Sequence, residues 1–189
     1  MQVIIVHEYF HESIISYTGH QLSSLWAYRN FGLQGDSIVC FRGPCSVEPT
    51  EMVDVEDVLG GSSIFGPHMI HFIVEHFGEC LESGVLRQRL LISIIKDALA
   101  FPELVRRGDD LYLGDRKLSI SIATASPVSI MIHAALNIVS EGTPVKAAGL
   151  LDMGYNEDQI VDFGKRACRL YTQEMASVKM ACCKVRGVV

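Results

Sequence analysis

Lys117, His133 and Asn137 are the residues of this chain whose types and spacing suit chemistry at a carbonyl or a phosphate. An ammonium at the mouth of a strand pair can hold a phosphate or an acyl carbonyl. It also stabilises negative charge as that charge builds on the carbonyl oxygen. An imidazole can orient a substrate or accept its proton. His133 and Asn137 stand four residues apart in the apolar text His133-Ala134-Ala135-Leu136-Asn137, and on a strand that spacing turns both to one face.

Such residues need rigid neighbours, and the surrounding pattern supplies them. Leu118, Ile120 and Ile122 alternate with Ser119, Ser121 and Ala123, the period of a half-buried strand that Lys117 heads. Asp109-Asp110 and Gly114-Asp115 are turn chemistry on either side of Leu111-Tyr112-Leu113, so the segment reads as a hairpin. Pro127 divides the apolar run that follows and gives His133 and Asn137 a strand of their own. Residues 2–6, 37–41, 52–58 and 69–77 also have strand character. Helices are expected over residues 19–30, capped by Thr18, and over residues 85–101, with Leu86, Leu90, Ile94 and Ile95 on one face. A short helix is expected over residues 144–153 and a long last one after the cap Asn156. Strands in a run with helices interspersed predict an α+β fold, a mixed or antiparallel sheet with helices on its faces.

Across most of its length the sequence resembles an uncharacterised family catalogued as domain of unknown function 366. The texts that carry this resemblance are Gly35-Asp36-Ser37-Ile38-Val39 with Phe41-Arg42-Gly43, His71-Phe72-Ile73-Val74-Glu75-His76-Phe77, and Leu86-Arg87-Gln88-Arg89-Leu90-Leu91. Residues 109–150 are remotely similar to the catalytic domain shared by the biotin and lipoate protein ligases and octanoyltransferases. Here the similarity lies in a strand with an Arg-Lys text at Arg116-Lys117, the His133 to Asn137 text, and a later stretch ending at Gly149-Leu150.

The second resemblance implies a biotin/lipoate-ligase-like, class II aminoacyl-tRNA-synthetase-like architecture. It also implies that Lys117 contacts an acyl carbonyl and the phosphate of an acyl-adenylate, or a thioester carbonyl. Arg42 and Gly43 fall where the ligases carry an Arg- and Gly-rich loop that cradles the acyl-adenylate, and Gly149 falls in the later glycine stretch. The sequence departs from these relatives in two places. Pro44 removes a backbone N–H that such a loop would offer to phosphate. Ala148 stands where the octanoyltransferases carry a nucleophilic cysteine. Cys45, beside the loop, is either a displaced nucleophile or a buried bystander, the bystander being the more economical account.

Composition bounds the remaining possibilities. The chain has 189 residues, 49% hydrophobic and 20% charged, which fits one globular domain over residues 1–189 with a core that requires no staples. A net charge of −6 argues against nucleic acid as a partner. The six cysteines are irregularly spaced and no secretory segment precedes them, so reduced thiols and a cytoplasmic location are expected. Residues 118–140 lack Lys, Arg, Asp and Glu, but their serines, His133, Asn137 and Pro127 make them too polar to span a membrane.

Other constellations have plainer explanations. His7-Glu8-Tyr9-Phe10-His11 matches the zinc-peptidase text, yet it follows a strand and has no third ligand at a usual spacing, so no metal site is expected. His68, His71, Glu75 and His76 read as surface and edge residues that do not converge, and Asp54, Glu56 and Asp57 as a solvated strand edge. Cys182-Cys183 receive no role.

The sequence therefore predicts a protein that binds a small carboxylate or acyl ligand. Lys117 and His133 are the catalytic candidates for acyl activation or transfer, and Arg42, Gly43, Asn137 and Gly149 the substrate-binding ones. The rival is a non-catalytic ligand-binding or assembly module that kept the fold and lost the chemistry. Sequence leaves the cofactor unknown and the oligomeric state open, a homo-oligomer included.

Overall fold

The computed structural model describes residues 6–62 and 64–188. Most of the strand expected over residues 2–6 lies outside them. Five strands form the main sheet in the order β1 (His7–Phe10), β2 (Ser37–Val47), β3 (Ile64–Phe77), β8 (Ser129–Asn137), β7 (Ser119–Ala125). β1 runs parallel to β2 and every other pairing is antiparallel, so the sheet is mixed. A second, small sheet of β4 (Leu104–Arg107), β5 (Asp110–Leu113) and β6 (Arg116–Lys117) feeds directly into β7.

Two helices, α3 (Leu81–Leu99) and α4 (Glu157–Cys182), cover one face of the main sheet. Ile38, Cys40, Ile70, Phe72, Val74, Ile132 and Leu136 point to that side and pack against Leu91, Ile92 and Ile95 of α3 and Phe163 and Tyr171 of α4. Each fully buried aromatic contributes roughly 2–3 kcal/mol by area. Residues of opposite parity, Val39, Phe41, Met69, Ile73, Met131 and Ala135, form a second cluster with Tyr17 and Trp26. Burial on both faces explains why β3 and β8 read as continuous apolar runs.

Asn156 caps α4 with a full capping box: its side chain accepts from Gln159 N–H, and Gln159 accepts from its backbone in return. The expected α3 exists but begins at Leu81, and its buried face runs through Gly84, Gln88, Leu91, Ile92, Ile95 and Ala98; Leu86, assigned inward from sequence, is 65% exposed. Gly84 sets that rotation, because a Cβ there would stand 2.8 Å from Ile130 of the sheet.

Three expected elements are corrected. The helix over residues 19–30 contracts to α1 (Trp26–Phe31), since Leu25 sits in the left-handed region (φ 62°) with its N–H donated to the buried Glu75 carboxylate. Residues 52–58 form no strand. A 3-10 turn (Pro49–Glu51) precedes α2 (Val55–Leu59), whose cap Asp54 accepts from Glu56 N–H; Val53, Val55 and Val58 are exposed, so their alternation had no face to bury. Over residues 144–153 only Leu151–Met153 is helical, as a 3-10 turn. Upstream the chain runs beside Lys117, which donates its N–H to Lys146 and accepts from Ala148 N–H.

Candidate functional site

Lys117 ends the β5–β6 hairpin, opposite Tyr112, at the point where the chain leaves the small sheet and enters β7. It borders two adjoining hollows, one of about 270 Å³ and one of about 150 Å³, that also share Asp57, Ile64 and Ile120. Together they make a two-lobed cleft with Lys117 at the join. The ammonium is 2.8 Å from Asp110, and both side chains are partly buried. Burial works against the charge on Lys117, but the hydrogen bond and charge of Asp110 outweigh it and hold its pKa above the usual lysine value. A charged, half-exposed ammonium is thus fixed in the cleft.

His133 borders the larger lobe from β8, and the network behind it dictates its tautomer. Gly43 offers a carbonyl, which only accepts, so His71 donates Nε2–H to it at 3.1 Å. Burial pushes His71 down to about pKa 4, and His133 well down as well, so both rings are neutral at physiological pH. His71 therefore presents a bare Nδ1, which accepts Nε2–H of His133 at 3.1 Å. The outcome is a bare Nδ1 on His133. It has no hydrogen-bond partner among the described residues and is not one of the protein's enclosed orphan polar atoms, so it keeps contact with the cleft. Tyr17 stacks on His133 with ring centroids 3.7 Å apart at 15°, and Phe41 stacks on His71 at 4.9 Å. The imidazoles are held by bonds along their edges and rings on their faces.

Lys117 and His133, expected from sequence, thus border one lobe, and Lys117 and Asn137 border the other. Asn137 uses its NH2 group to bond the carbonyls of Ala148 and Lys117, which ties residues 146–148 to the Lys117 strand; it shapes the smaller lobe. Arg42 does not join them. It has the parity of Ile38 and Cys40, leaves the helix-covered face of the sheet, and pairs with Glu157 at the start of α4 at 2.8 Å. Gly43 and Gly149 border neither lobe. A Cβ on Gly43 would lie 2.0 Å from the Ile15 carbonyl, and one on Gly149 would lie 2.6 Å from the Ile138 carbonyl, so close backbone packing accounts for both.

Among the described residues no cysteine borders the cleft. Cys45 is fully buried and burial pushes its thiol up to about pKa 12, which removes it as a nucleophile; Ala148 is buried too. His7 and Glu8 lie on strand β1, and Glu8 accepts a hydrogen bond from Thr172, so the zinc-peptidase text is not on a helix. Among the described residues no three His, Cys, Asp or Glu side chains gather as metal ligands, and no helix is long and apolar enough to cross a membrane.

His71, Glu75 and His76, expected at the surface, are buried. Glu75 accepts Leu25 N–H at 2.8 Å and Ser129 O–H at 2.6 Å, while His76 bridges Asp36 and Tyr171 on the other face. Sequence reasoning missed Tyr17, His71 and the acidic rim formed by Glu51, Asp54 and Asp57. The only sequence signal for His71 was its parity with Ile73.

The family profile for domain of unknown function 366 matches residues 6–186. The chain belongs to this family. An uncharacterised protein of Methanocaldococcus jannaschii is 41% identical over 151 residues, 76% of this chain and 68% of that protein. A solved protein of unknown function from Pyrococcus horikoshi is 41% identical, with a TM-score of 0.90 over 97% of this chain and all of its own. At fold level the chain is similar to the biotin protein ligase of Aquifex aeolicus in complex with biotin and ATP (TM-score 0.55, 11% identity, 90% of this chain and 72% of that one). It is likewise similar to a candidate lipoate protein ligase of T. acidophilum with bound lipoic acid (TM-score 0.56, 12% identity, 90% and 86%). At such identities these ligases establish the shared α+β architecture and nothing about chemistry.

Proposed function

We propose that this protein binds a small ligand bearing an acyl or carboxyl group in the Lys117 cleft and acts there in acyl activation or transfer. One observation carries the proposal. Lys117 and His133 come from different sheets and border the same lobe, one offering a fixed ammonium and the other a bare imidazole nitrogen. An ammonium beside a carbonyl oxygen stabilises charge developing there, and a neutral imidazole accepts a hydrogen bond from a donor on the ligand or on the attacking group. The ligase neighbours that hold biotin with ATP, or lipoic acid, support an acyl ligand on this fold. With no thiol on the cleft among the described residues, any transfer would proceed by direct attack of the acceptor on the acyl carbon and departure of the group bound there, without an acyl-cysteine intermediate.

A non-catalytic binding module is favoured instead by Pro44 within β2 and by the engagement of Arg42 with Glu157, which leave no ligase-type phosphate cradle at that strand. A thermal-shift screen with lipoate, octanoate, biotin, acyl-coenzyme A and ATP tests binding. At a hundredfold excess over Kd a native-state ligand adds about 2.7 kcal/mol of stability, an easily read shift. At least one acyl compound is expected to raise the melting temperature. A flat response to the whole panel contradicts the proposal.

A further inference from the structure

The larger lobe is too acidic to welcome a free carboxylate on its own. Glu51, Asp54, Asp57, Asp109 and Asp110 border it against one ammonium, that of Lys117. Asp110 is paired with Lys117 at 2.8 Å and Asp109 with Arg89 at 3.1 Å. Among the described residues Glu51 meets only the exposed ring of His20, at 3.2 Å. Asp54 accepts a backbone N–H from Glu56, and among the described residues neither Asp54 nor Asp57 has a cationic partner. After internal pairing the lobe therefore keeps net negative charge on its Asp54–Asp57 side.

A second observation is independent of that charge. His133 is 3% exposed, and the Gly43–His71 chain behind it forces its unpartnered Nδ1 to be a hydrogen-bond acceptor on the cleft. That nitrogen is open to the cleft and its ring is fixed by the bond to His71, so a ligand N–H reaching it meets a preset acceptor. Carboxylates and a bare imidazole nitrogen together select for positive charge with N–H groups.

We infer that the ligand carries a protonated primary amine, received in the larger lobe by Nδ1 of His133 and the carboxylates of Asp54 and Asp57. Its acyl or carboxyl oxygen then lies at Lys117, where the two lobes meet. This rests on the cleft being a ligand site and narrows what that ligand is.

Calorimetric titration of the full chain with hexanoate, hexylamine and 6-aminohexanoate separates the cases. Both amines are expected to bind at least tenfold more tightly than hexanoate, with 6-aminohexanoate the tightest because it also reaches Lys117. Asp57→Asn, on the half-exposed rim, should weaken both amines three- to tenfold and leave hexanoate unchanged or tighter. His133→Phe keeps a ring against Tyr17, removes the acceptor, and should weaken the amines at least as much; Asp57→Asn carries the test alone should His133→Phe fail to fold. Hexanoate binding more tightly than the amines overturns the inference and leaves the acyl-binding proposal standing. Amine binding that ignores Asp57→Asn overturns it by placing the amine elsewhere. If none of these probes binds, the inference falls, and the acyl proposal falls with it only when the lipoate, octanoate, biotin, acyl-coenzyme A and ATP panel is also silent.

Discussion

His71 is fully buried between the rings of Tyr17 and Phe41, with both nitrogens engaged, and this has a cost that pH reveals. Its ordinary pKa of 6.5 falls to about 4 in the folded protein. Below the ordinary value the unfolded chain takes up a proton that the folded chain refuses. Stability is therefore full above about pH 6.5 and declines as pH falls toward 4. Between pH 7 and pH 5 the loss from this one ring is on the order of 2 kcal/mol, with His133 adding in the same direction. Urea melts at pH 7 and pH 5 measure it. His71→Phe, which preserves the ring stack, should shrink the difference to what His133 contributes; an unchanged difference would mean that His71 is not the titrating group. Lys117, His133 and Asn137 were legible at this scale because local text and strand period place them. Tyr17 was not, since it reaches the site through one bridge to Cys45, a contact no spacing encodes.

At the scale of elements, the glycines show which approaches the fold depends on. Gly43→Ala drives a Cβ into the Ile15 carbonyl at 2.0 Å, a backbone atom with nowhere to go, and should cost about 3 kcal/mol or more. Gly66→Ala meets the flexible end of Met69, with Sδ at 2.5 Å, and should cost about 1 kcal/mol or less. Chemical denaturation of the two variants checks the contrast, and equal losses would contradict this packing. β2 also explains why sequence alone did not tell which face of the sheet Arg42 takes. Ile38 and Cys40 on one face and Val39 and Phe41 on the other are all buried, so the strand carries no polar stripe to tell which side holds the cleft. The acidic segment misled for the opposite reason: Val53 and Val55 alternate with acids as in a strand, but Pro49 and the Asp54 cap turn the chain into helical pieces. The same capping chemistry made α4 easy to read, because Asn156 and Gln159 stand at the spacing of a capping box.

For the whole molecule, the main sheet divides the work between its faces. One face holds the α3 and α4 core that gives the fold its stability, and Arg42 belongs to that side. The other face, with the small sheet and the segment around α2, encloses the cleft of Lys117 and His133. The α+β class, the mixed sheet and the order of strands through residues 109–137 could be read from hydrophobic period and turn chemistry. The cleft could not, because it forms where two sheets and an acidic segment far apart in sequence meet. The central claim is that the cleft is the ligand site, and one comparison tests it most directly. Lys117→Ala and Arg42→Ala are each titrated calorimetrically with the compound that most stabilises the native protein in the acyl panel. Lys117→Ala should weaken binding tenfold or more while its unliganded melting temperature stays within a few degrees of the parent, and Arg42→Ala should bind as the parent does. Loss of binding in Arg42→Ala with Lys117→Ala unaffected would place the site on the opposite face and contradict the account.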